Sequence, residues 1–153
     1  MFLLINSTTG CLQQAEFHKD VPKFKIDPEL QPYVDYFEND MNMEVKINMS
    51  FYNQTDTVVA ICYFYDKNPE LNYIEVDPIQ WNHLDENGKE EVIFHELGHC
   101  LMGKEHDSMF LEKYNVPKSI MYPYVFSTAY GAHKPYYVEE LKNPELDWTI
   151  YFQ

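Results

Sequence analysis

Basic residues are scarce in this sequence: 11 lysines and arginines stand against 25 aspartates and glutamates, a formal charge of −14. Such a field repels phosphate backbones and anionic lipid, so no nucleic-acid partner is expected. No apolar run approaches the ~20 residues that cross a bilayer, so no transmembrane segment is expected either. Cysteine is equally sparse. Cys11, Cys62 and Cys100 are odd in number and far apart, which excludes a dense disulfide framework and leaves room for one bridge at most. The five glycines and nine prolines are scattered as punctuation, with no internal repeat and no low-complexity linker. What is plentiful is apolar and ring surface: 45% of the 153 residues are hydrophobic, among them 13 Tyr, 10 Phe and 2 Trp. That composition excludes a solvated acidic tail and predicts one folded domain with a ring-packed core or a ring-lined groove.

Residues 1–20 read as an N-terminal segment, an anchor or an extended arm, and 21–153 as a single domain. The apolar run 1–5 is too short for the core of a signal peptide and has no basic segment before it. Thr8-Thr9-Gly10-Cys11 loosely resembles the end of a bacterial lipoprotein signal, with Cys11 as the lipidated residue, although Thr8 stands where an aliphatic residue is usual. An ordinary N-terminal segment is the alternative, and the compartment stays open.

The pattern along the chain predicts an α+β fold. Residues 28–42 place Leu30, Val34, Tyr36 and Phe37 near helical spacing, with proline near the start. Three runs rich in Val, Ile, Tyr and Phe, at 44–52, 57–65 and 71–76, read as strands, and the short gaps between them favour a meander or hairpins. Asn87 and Glu90 fit a capping box that opens a helix over 88–102, and Gly103 is its natural stop. A loop-like stretch follows through Pro117 and Pro123, then a short helix over 136–142 and an aromatic tail, 148–152.

The helix over 88–102 carries His95-Glu96-Leu97-Gly98-His99. At about 100° per residue His99 lies about 40° from His95, while Ile93, Phe94, Leu97 and Leu101 fall on the opposite face. Two imidazoles one turn apart can therefore reach a single zinc, and Glu96, rotated off that axis, sits where a base can take a proton from water on the metal. Gly103 then breaks the helix, His106 follows three residues later, and Ser119-Ile120-Met121-Tyr122-Pro123 comes after that.

These two segments resemble the metzincin metallopeptidases, whose zinc motif H-E-x-x-H-x-x-G-x-x-H precedes a methionine-containing turn; the I-M-Y-P stretch is most similar to the matrixin form. The resemblance implies a zincin-like domain with a small mixed or antiparallel sheet, an N-terminal helix, an active-site helix and a short C-terminal helix. It further implies zinc on His95, His99 and His106, Glu96 as catalytic base and acid, and Met121 as a hydrophobic floor. Tyr122, Pro123 and Tyr124 would wall the pocket for the substrate side chain after the cut. Here three residues, Cys100, Leu101 and Met102, separate the second histidine from the glycine where the family has two. A wider last turn would keep His106 on the metal; otherwise Glu105 or Asp107 becomes the third ligand, or, as in another zincin class, Glu139 or Glu140.

The expected activity is zinc-dependent hydrolysis of peptide bonds in a peptide or protein substrate. The alternatives are a catalytically silent zinc-stabilised protein on the same scaffold and a zinc amidase acting on a cell-wall crosslink. The strand 71–76 would bind extended substrate as a sheet edge, or else be buried. Tyr124, Tyr130, Tyr136 and Tyr137 are candidate donors to the oxyanion. His18, His83 and His133 read as structural, Cys100 as inert at the margin of the core stripe, and 85–88 as a turn and cap with no structural calcium indicated. The protease class favours an extracellular, cell-surface or virion-associated setting. Acidity around a cleft would attract cationic peptide segments.

Overall fold

Proline and asparagine punctuate the first helix of the computed structural model, which describes residues 24–54 and 57–152. Helix α1 (Gln31–Met41) has a proline in its first turn and ends where Asn42 turns left-handed at φ 49°. Leu30, Tyr33, Val34 and Phe37 are buried, whereas Tyr36 lies on the outer face; Tyr33 takes the inward place and meets Trp81 edge-on at 5.2 Å. The segment 1–20, with Cys11 and His18, lies outside the described residues.

Strands β1 (Asn48–Phe51), β2 (Ala60–Tyr63) and β3 (Tyr73–Val76) form a sheet in the order β1-β3-β2, with β3 parallel to β1 and antiparallel to β2. This corrects the meander expected from the short gaps. The eight residues between β1 and β2 carry the chain past the position that β3 later fills. Of the two readings of the strand at 71–76, a sheet edge or a buried strand, the second holds: it is central, and its alternate residues Ile74 and Val76 are fully buried. Ile26 bridges to Met49 on the outer side of β1, so among the described residues β2 is the edge left open.

After β3, Asp77 caps the short α2 (Pro78–Trp81) through Ile79 and Gln80 N–H groups. Helix α3 (Glu86–Met102) follows and is capped by Asp85, whose side chain accepts from Gly88 N at 2.8 Å. Asn87, expected to be the cap, lies inside the helix; its side chain fills the space where a Cβ on Gly131 would stand, 2.3 Å from its Nδ2. That close approach explains a glycine at 131. Ile93, Phe94 and Leu97 face inward, as the helical wheel predicts, whereas Leu101 is only partly buried and Val92, off that stripe, is buried as well.

A two-stranded ribbon, β4 (Phe110–Leu111) with β5 (Val116–Pro117), precedes α4 (Ser127–Lys142). Helix α4 begins well before the expected 136–142, because a kink at His133 (φ −129°) joins two helical pieces and places Pro135 in the first turn of the second. A short 3₁₀ turn, Trp148–Ile150, closes the chain, and Phe152 packs against Tyr114, Tyr136 and His133. Lys134 ties three helices together through Asp40 (3.1 Å) and Glu90 (2.6 Å). No described helix is long and apolar enough to cross a membrane.

Candidate metal centre

The end of α3 shows how the extra residue is absorbed. Gly103 adopts φ 61°, and Lys104 N–H reaches back six residues to Gly98 C=O at 3.0 Å, one residue further than the usual glycine-terminated cap. The last turn is widened, and the chain beyond it returns under the histidines. His99 Nε2 lies 3.0 Å from His95 Nε2, which lies 3.2 Å from His106 Nε2. Three ligand nitrogens on one small cluster make His95, His99 and His106 a site able to hold a metal ion. Glu105, Asp107, Glu139 and Glu140 are not in that cluster.

The donor set fits a tetrahedral cation. His95 Nδ1 meets Ile120 C=O at 2.9 Å and His99 Nδ1 meets Lys104 C=O at 2.6 Å. A carbonyl only accepts, so each Nδ1 carries the hydrogen and each Nε2 presents a bare lone pair. Lone pairs converging at such distances repel one another unless a cation stands between them. Zinc with Zn–N bonds of about 2.0–2.1 Å holds its nitrogens about 3.4 Å apart, close to the separations here. Burial pushes His95 down to about 4 and lowers His99 as well, keeping both imidazoles in the neutral form a metal requires.

Met121 lies beneath α3, with its Sδ against Gly98; a Cβ at that glycine would come within 2.8 Å of the sulfur. The turn around Met121 is pinned from below. Ser119 Oγ donates to Glu140 Oε2 at 3.0 Å, Ile120 N–H donates to the same oxygen at 3.3 Å, and Met121 N–H donates to Ser119 Oγ at 3.0 Å. The turn's carbonyls then orient the site: Ile120 C=O holds His95, and Met121 C=O accepts Asp107 N–H at 3.0 Å, next to His106. Glu140, weighed as a metal ligand, is instead a buried anchor, and burial raises its pKa against those two hydrogen bonds. Glu140→Leu leaves Ser119 and Ile120 without their acceptor and is expected to cost about 2–4 kcal/mol in urea unfolding. It should also weaken binding of a metal ion at the three histidines about 10–100-fold by calorimetry, through the lost orientation of His95.

Glu96 is buried on α3 between two cavities. One, of about 390 Å³, lies on the His99 side against Val58–Cys62 and Lys104; the other, of about 410 Å³, lies on the His95 side against Thr57–Ala60, Glu91, Val92 and Tyr122–Val125. The first runs along β2 and the second along the segment that leads into it. Burial pushes the Glu96 carboxyl up to about 7, partly offset by the N–H of Cys62 on that strand.

Cys62 is also bonded to Cys100, so Cys100 is not the inert core residue the helical wheel suggests. The bond ties the open strand to α3 immediately after His99. Closing a loop with a sequence separation of 38 corresponds to about 4 kcal/mol on the chain-entropy model. A Cys62→Ser/Cys100→Ser double variant is expected to lose most of that in urea unfolding.

Tyr122, Pro123 and Tyr124 line the second cavity, as expected for a pocket wall. Of the four tyrosines considered as oxyanion donors, only Tyr124, 72% exposed, faces it. Tyr130, Tyr136 and Tyr137 are buried and their hydroxyls donate to Glu90, Lys118 C=O and Pro117 C=O. His133 packs on Phe152, in the structural role expected. Sequence reasoning passed over Glu91, although its place one turn before His95 puts it on the imidazole face. No protein-family model, curated protein or solved structure matches this chain. The functional reading therefore rests on the site itself.

Proposed function

We propose that this protein is a zinc-dependent endopeptidase of metzincin type. The observation that carries the reading is the convergence of three imidazoles, those of His95 and His99 with their tautomers fixed by backbone carbonyls, beside one buried carboxylate, in a cleft bounded by an open strand edge. An all-imidazole set with those separations suits zinc. When bound, the ion activates a ligating water and polarises the scissile carbonyl.

The chain's own groups do the rest. The free N–H and C=O groups of β2 pair with an extended peptide, which lays a scissile bond across the site whatever its side chains. Glu96 takes the proton of the attacking water as its oxygen bonds to the carbonyl carbon, and returns it to the nitrogen as the C–N bond breaks. The disulfide holds the strand against the helix that carries that carboxylate. A disulfide at this place also fits an oxidising, extracellular or cell-surface setting.

Zinc stoichiometry measured together with digestion of a broad peptide library tests the proposal. One zinc per chain with internal cleavages is the expected result. Stoichiometric zinc with no cleavage would leave a zinc-stabilised structural protein.

A further inference from the structure

The cavity on the His95 side contains one ionisable group that the proposed chemistry does not use. Glu91 is 3% exposed, and both its carboxylate oxygens share a single donor, Phe126 N–H, at 2.9 and 3.2 Å. A carboxylate has room for about four hydrogen bonds, so most of its acceptor capacity is unfilled. Among the described residues no lysine or histidine forms an ion pair with it, and the charge felt most strongly is a second carboxylate, Asp85. Burial accordingly pushes Glu91 up to about 8. Holding Phe126 in place does not require an acid, since the amide oxygen of a glutamine would accept the same N–H.

Apart from Thr57 and the site residues His95, Glu96 and His106, the wall is apolar or aromatic, with Val58, Val92, Val125, Tyr122 and Tyr124 among its residues. Such a channel suits a long aliphatic stem, and the acid within it suits a cationic head. The metal ligands His95 and His106 border the same cavity, so a side chain occupying it belongs to a residue beside the bond being cut.

We infer that Glu91 is a specificity-determining residue, and that the cavity between α3 and Tyr122–Val125 takes a lysine or arginine side chain adjacent to the scissile bond. This deepens the peptidase reading and rests on it for the identity of the substrate. A cation next to Glu91 supplies the counter-charge the fold withholds, and the net charge of −14 draws such segments toward the surface.

The test uses binding as well as cleavage. Peptide hydroxamates, whose metal-binding group fixes them at the zinc, are prepared with lysine, arginine, norleucine or glutamate next to the hydroxamate. Their affinity for the zinc-loaded protein is measured calorimetrically. Lysine and arginine are expected to bind at least tenfold more tightly than norleucine, with glutamate weakest, and Glu91→Gln is expected to bring the lysine-to-norleucine ratio to about one. Peptides with the same four residues beside a cleavable bond should follow the same order, the fragment masses reporting on which side of the cut the cation lies. If the wild-type protein binds norleucine as tightly as lysine, the inference is overturned without any need for the variant. A ratio unchanged by Glu91→Gln overturns it as well. If the hydroxamates discriminate as expected and no peptide is cut, the specificity of the cavity stands and the peptidase reading fails.

Discussion

Glu96→Gln is expected to lower kcat/KM for peptide cleavage by about 10²–10⁴-fold, the range of a positioned general base, while zinc stoichiometry stays at that of the wild type. The two readouts separate because the glutamate is not one of the three converging ligands. Glutamine has the same shape and keeps a carbonyl oxygen, so the helix, the strand and the histidines are expected to remain as they are. What it cannot do is accept a proton from water and return it to a departing amine. An activity within threefold of wild type would remove Glu96 from the chemistry. A parallel loss of zinc would mean that the carboxylate holds the ion.

Chelation of the metal is expected to abolish cleavage and to lower Tm without unfolding the protein at room temperature. A ligand that binds only the folded state, present at a thousandfold excess over its Kd, contributes about 4 kcal/mol, or about 8–16 °C in Tm for a domain of this size. The fold should survive because its core does not pass through the metal: Phe37, Ile47, Ile74, Trp81, Phe94 and Leu97 are fully buried together, and Cys62–Cys100 closes the sheet onto α3. Replacing a ligand should reproduce chelation. His106→Ala is expected to lose the zinc-dependent rise in Tm, whereas Glu105→Ala and Asp107→Ala keep it. A preserved rise in His106→Ala would transfer the third ligand elsewhere and undo the account of the widened last turn.

That turn shows how far local pattern reaches. The spacing of His95 and His99 and the stop at Gly103 follow from the geometry of one helix and its cap, which the order of residues carries directly, whereas the return of His106, rather than Glu105 or Asp107, to the other two depends on the widened last turn. The α+β class and the approximate place of α1, the three strands and α3 follow in the same way, from apolar periodicity. The capping residue of α3 was displaced by two positions because Asp85 and Asn87 are equally able to cap, and only the packing of Asn87 against Gly131 separates them.

Pairings between distant segments have no such local signature. The insertion of β3 between β1 and β2 pairs it on both edges and buries Ile74 and Val76 on one face, and it leaves β2, the strand that borders the site, as the open edge. Cys62 and Cys100 find each other only once β2 lies along α3. Glu140 had no visible partner in the chain until α4 packed under the methionine turn, and Glu91 gains a cavity only when Tyr122–Val125 folds over α3. The pairing of His95 and His99 as possible metal ligands was therefore legible along a single helix, where covalent spacing does the positioning. The anchor of the turn, the open strand beside the site and the acid in the second cavity were left to tertiary contacts, because their partners lie tens of residues away and are chosen by burial.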